Sequence, residues 1–126
     1  MRASVAGLSE RRFRELVAEA LDTLPPEWGE LLDNIAVVVE DEPSAEELRE
    51  LGMDPEEGDE LLGLYQGTPL GERGFEYGGL PDRVVIYRGP ISRIARSRRD
   101  VVEQVRETVL HELGHHFGLE EDDLPF

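Results

Sequence analysis

His111-Glu112-Leu113-Gly114-His115-His116-Phe117-Gly118 contains the pattern H-E-x-x-H, and the rest of the 126-residue chain is read outward from it. On a helix, side chains four positions apart lie on one face about one turn from each other, so His111 and His115 can share one zinc ion. Glu112, next to the first histidine, is placed as the base that takes a proton from a metal-bound water. The segment from Asp100 to Phe117 has no proline or glycine before Gly114, and Asp100 with Glu103 three residues later forms a capping box at its start. At about 100° per residue, Val101, Val102, Val105, Val109, Leu110, Leu113 and Phe117 make one apolar arc. His111 and His115 fall outside that arc, beside Gln104 and Thr108. The helix therefore packs by one face and offers both imidazoles to a cleft, while His116 falls inside the arc and reads as a buried or supporting histidine rather than a ligand.

A catalytic zinc site usually takes three protein ligands and leaves one position for water. Gly118 suits a left-handed C-cap that turns the chain back, and the acidic run Glu120-Glu121-Asp122-Asp123 follows directly. A plain glycine cap with a solvated acidic tail explains the glycine but not the placing of the carboxylates.

H-E-x-x-H-x-x-G with a ligand three residues after the glycine resembles the metzincin form of the zincin metallopeptidases, and that position is Glu121 here, where metzincins carry His. TVLHELGHHFGLEEDDL, from Thr108 to Leu124, resembles the small bacterial zincin-like metallopeptidases more closely, as do LGLYQGTPL from Leu62 and GLPDRVVIYRGPI from Gly79. The similarity runs from about Leu61 onward. It implies a minimal zincin fold that binds Zn2+ through His111, His115 and an acidic residue, with Glu112 as base. Glu121 is carried over as the third ligand on spacing, with Asp122 the alternative. The chain departs from metzincins in lacking their methionine turn, since Met1 and Met53 both lie upstream of the motif.

Composition sets the outer bounds. A chain of this length is most naturally one domain over residues 1–126. Thirteen basic residues against 29 acidic give a formal charge of −16, a field that repels phosphate backbones and makes nucleic acid a poor partner. The basic cluster at Arg93, Arg96, Arg98 and Arg99 reads as a solvated helix edge offsetting the acidic surface. There is no cysteine, hence no disulfide framework and no thiolate ligation. Met1 to Leu8 is too short and too weakly apolar for a signal peptide, and no apolar run approaches the roughly 20 residues that span a bilayer, so no membrane partner and a cytoplasmic location are expected.

In chain order, Ser9 caps a first helix to Leu24 with Phe13, Leu16, Val17, Ala20, Leu21 and Leu24 on its apolar face, and Pro25-Pro26 ends it. Trp28, Leu31 and Leu32 cover an edge of the core. Ile35–Glu40 is a β-branched strand, buried on both faces at its centre. Ser44 and Glu47 form a capping box for a short helix closed at Gly52. Asp54 to Glu60 reads as a solvated acidic loop whose spacing does not match a calcium-binding loop. Leu61 to Gln66 is a second strand, and Gly67 to Pro81, with five glycines and two prolines, is a long connection or a flap carrying Phe75 and Tyr77. Val84 to Arg88 is a third strand and, by analogy with zincins, the candidate edge for binding extended peptide. A short helix from Ile91 to about Arg98 follows. Tyr77 and Tyr87 are the candidate oxyanion donors, with packing the commoner role for each.

The expected architecture is α+β: a sheet of three or four strands packed against the N-terminal helix and the C-terminal H-E-x-x-H helix. The leading function is a zinc-dependent metallopeptidase acting on a peptide or protein substrate. Its alternative is a non-catalytic metal-binding or protein-interaction module of the same fold, motivated by the missing methionine turn. A metal-dependent endoribonuclease ranks last, because those enzymes resemble H-G-x-x-H-x-x-G-x-x-H, whereas this chain has Glu112 and Glu121 at the differing positions.

Overall fold

The computed structural model describes residues 7–33, 35–67 and 82–116. The order of elements is α1 (Glu10–Asp22), α2 (Pro26–Leu32), β1 (Ile35–Glu40), α3 (Ala45–Glu50), a 3-10 helix (Pro55–Glu60), β2 (Gly63–Gln66), β3 (Asp82–Tyr87), α4 (Arg88–Ile94) and α5 (Arg98–His116). The strands form one sheet in the order β1-β3-β2, with β1 parallel and β2 antiparallel to β3.

Local chemistry places the helix starts. The Ser9 hydroxyl accepts the Arg12 N–H, and Ser44 with Glu47 forms the expected reciprocal capping box. Gly52, at φ 78°, supplies the left-handed residue just past α3. The cap of α5 sits three residues earlier than the sequence predicts and is not a reciprocal box: the Asp100 N–H donates to the Ser97 hydroxyl at 3.0 Å, while the Asp100 carboxylate accepts the N–H of Arg96, the residue before the cap, at 2.9 Å. Ser97 thus takes the capping role expected of Asp100, and the box expected between Asp100 and Glu103 does not form.

Alternation along β3 divides the structure into layers. Val84 and Ile86 join the main core with Phe13, Leu16 and Val17 of α1, Ile91 of α4, and Val101, Val105, Val109, Leu110 and Leu113 of α5. Val85 and Tyr87 lie in the intervening register positions and are equally buried; the Tyr87 hydroxyl donates to Glu47 of α3 at 3.1 Å. The sheet is therefore covered by α1 and α5 on one face and by α3 on the other. Trp28 is buried in the main core, its expected role.

Four expectations change. Pro26 does not only stop α1; it opens α2, because a first-turn proline forfeits no helical hydrogen bond. The acidic loop is the 3-10 helix, capped by Asp54, whose carboxylate accepts the Glu56 N–H at 2.9 Å while Glu57 reaches back to the Asp54 N–H at 2.7 Å. β1 is only half-buried throughout, since it has β3 as its single sheet neighbour among the described residues. Most consequentially, β3 cannot be a peptide-binding edge, because both its sides are already paired; among the described residues the strand beside α5 with an outer edge is β2.

Gly63 sets how closely that strand meets the helix. A Cβ there would stand 2.5 Å from the Thr108 methyl of α5 and 3.0 Å from the Val85 carbonyl oxygen. We predict that Gly63→Ala lowers stability by about 1–3 kcal/mol in denaturant unfolding, and that adding Thr108→Ser, which removes the methyl, restores part of the loss. An unchanged midpoint in Gly63→Ala would contradict the contact.

Candidate metal centre

The two motif histidines stand together on α5, with ring centroids 6.3 Å apart and ring planes at 66°. His111 is half-buried and His115 exposed, as their place outside the apolar arc predicts. With Zn–N bonds of about 2.0–2.1 Å at a tetrahedral angle, two such rings stand roughly 5 Å apart, so closing on one ion takes about 1 Å of movement, which the exposed His115 has room to supply. The donor chemistry fits zinc: two adjacent imidazoles, no thiol, and a carboxylate between them in sequence. Among the described residues no group of three metal-binding side chains converges. Glu121 and Asp122, the expected third ligands, lie outside the described residues, as do Phe75, Tyr77, the 68–81 segment and the side chain of His116.

Glu112 projects toward β2, where its carboxylate oxygen Oε1 accepts the main-chain N–H of Tyr65 at 2.9 Å. Tyr65 is in turn tied to β3, its hydroxyl donating to Asp82 at 2.7 Å. The next residue, Gln66, accepts from Arg83 Nε at 2.5 Å across the same strand pair. These two bonds fasten the end of β2 to the start of β3. The candidate base is thus held by a strand whose own position is doubly anchored.

Tyr65 is the residue that sequence reasoning missed. Its link to Glu112 runs through the main chain, which every residue carries, so no residue type could have signalled it. Tyr87, considered instead as an oxyanion donor, has a packing role. It is fully buried, and desolvation first, then the charge of Glu47, holds its phenol protonated well above the ordinary value near 10. The arginine cluster behaves as a charge-offsetting edge: Arg93 bonds Glu42 at 2.7 Å and Asp59 at 2.8 Å, and Arg99 lies 3.7 Å from Glu103.

An α+β domain with a mixed sheet and an H-E-x-x-H helix packed beside its antiparallel outer strand has the layout of a zincin. The family model for zincin-like metallopeptidases matches residues 32–125, well over half of the chain, and the chain belongs to that family. The match reaches farther upstream than the resemblance beginning near Leu61, taking in β1, and it lends no support to the endoribonuclease alternative. No curated protein matches the chain. Among the described residues no helix is long and apolar enough to cross a membrane.

If His111 and His115 are ligands, the full chain supplied with zinc and dialysed should retain about one ion, and His115→Ala should lose it. Equal zinc content in the two proteins would remove His115 from the metal site.

Proposed function

We propose that this chain is a zinc-dependent peptidase that hydrolyses peptide bonds, with Glu112 as general base. The observation that carries the reading is the place of the Glu112 carboxylate, one residue from the first motif histidine and beside the sheet strand β2, whose Tyr65 N–H it accepts in the peptide-free protein. His111 and His115 supply two nitrogen donors, with Glu121 proposed as the third ligand and Asp122 as its alternative. A bound zinc ion would bring the pKa of a water ligand to near 7 and polarise the substrate carbonyl.

Glu112 takes the proton of the attacking water on its carboxylate and passes it to the leaving amine nitrogen, so the group is ionised before attack and neutral between the two transfers. Substrate is held by β2 rather than β3. An extended peptide adds to a strand edge through main-chain hydrogen bonds, which are indifferent to side-chain identity and leave specificity to the pockets alongside. The acidic surface, with its formal charge of −16, disfavours acidic peptides and favours basic ones by long-range attraction. The absence of cysteine fits work in a reducing cytoplasm.

Glu112→Gln separates binding from chemistry. It should retain about one zinc per chain and lose at least about a hundredfold in peptide hydrolysis, the usual contribution of a positioned proton-transfer group. Turnover equal to the native chain's would contradict the mechanism.

A further inference from the structure

The main-chain phase of β2 decides what its outer edge can offer. The Tyr87 N–H donates to the Leu62 carbonyl at 3.0 Å, which makes Leu62 and Tyr87 a hydrogen-bonded pair. Bonded and non-bonded pairs alternate along an antiparallel ladder. With Gly63 opposite Ile86 and Tyr65 opposite Val84, Gly63 and Tyr65 occupy the non-bonded positions, and their N–H and C=O groups point away from β3. An added strand would place a carbonyl oxygen opposite each of these N–H groups. At Tyr65 the place of the incoming carbonyl oxygen is taken, because Glu112 Oε1 already accepts that N–H at 2.9 Å.

We infer that Glu112 is a lock on the β2 edge: it caps the Tyr65 N–H in the resting protein and yields it to a carbonyl of an extended peptide, so peptide docking and release of the carboxylate are one event. The inference rests on the peptidase reading of the same site and deepens it. One donor cannot give a full-strength bond to two acceptors, and the close packing of Thr108 against Gly63 prevents the strand from sliding along the helix to offer another. The carboxylate must therefore turn away as the peptide arrives. In the empty protein the base is held on the strand; in the complex it is free to accept a proton.

The test compares two variants of the zinc-loaded full chain that both lack the base. Glu112→Gln keeps a side-chain oxygen that can accept the Tyr65 N–H, and Glu112→Ala has none. The probe is an end-capped, fluorescently labelled mixture of random hexapeptides. Glu112→Ala should bind it about threefold to tenfold more tightly than Glu112→Gln, the range expected when one neutral hydrogen bond no longer competes. Residue-resolved amide exchange reads the same lock without peptide. Tyr65 N–H should be protected in the native chain, exchange at least about tenfold faster in Glu112→Ala, and regain protection when the peptide mixture is added.

Equal exchange of the Tyr65 amide in the native chain and Glu112→Ala would overturn the lock, and so would equal peptide affinity of the two variants. Hydrolysis by the native chain is scored separately. Hydrolysis with equal variant affinities overturns the lock and leaves the peptidase reading standing, whereas no hydrolysis and no peptide bound by any form overturns both.

Discussion

The closeness of α5 to β2 is the constraint on which the site depends. Gly63 has no side chain, so the Thr108 methyl can occupy the space a Cβ would need. From that point helix and strand keep step: four residues along the helix, about 6 Å, carry Thr108 to Glu112, and two residues along the strand, about 6.6 Å, carry Gly63 to Tyr65. Matched travel is what brings the Glu112 carboxylate to the Tyr65 N–H. Any side chain at position 63 would open this gap and separate the base from the strand before it altered either histidine.

The rest of the fold holds those two elements still. α5 buries its valine and leucine arc against α1 and the Val84–Ile86 face of the sheet, which fixes its rotation and hence which way His111 and His115 point. β3, buried on both faces, anchors β2 through the paired register and through the Tyr65–Asp82 and Gln66–Arg83 bonds. Arg88 ties the start of α4 to Asp41 at 2.8 Å and to the Leu8 carbonyl at 2.8 Å, and Arg93 joins Glu42 and Asp59. Exposed ion pairs of this kind each contribute on the order of 1 kcal/mol or less. In a chain with so large an acidic excess, their placement between segments distant in sequence also relieves repulsion where carboxylates crowd.

Much of this was legible in the residues themselves. The apolar arc of α5, the exposure of His115, the bounds of β1 and the capping box at Ser44 all follow from local chemistry that a sequence displays directly. Less legible were features decided between distant segments. Val84 to Arg88 reads as a strand in any sheet position, and only pairing with both β1 and β2 reveals it as the central one; the assignment of the peptide-binding edge moved for that reason. β1, with three valines to the two of β3, lies at an outer position among the described residues, so the more valine-rich strand is the less buried. Gly63 gave no sign of its role, because its significance is the approach of a threonine 45 positions away in sequence. Glu121 and Asp122 lie outside the described residues, and their standing as third ligands rests on spacing and resemblance alone.

The most direct test of the account is the X-ray absorption spectrum of the zinc-loaded full chain, compared with His111→Ala/His115→Ala. The account predicts a shell containing two histidine nitrogens at about 2.0–2.1 Å, completed by oxygen and free of sulfur, with the imidazole scattering absent from the double variant. An all-oxygen shell, or imidazole scattering that survives in the double variant, would contradict a metal centre built on α5.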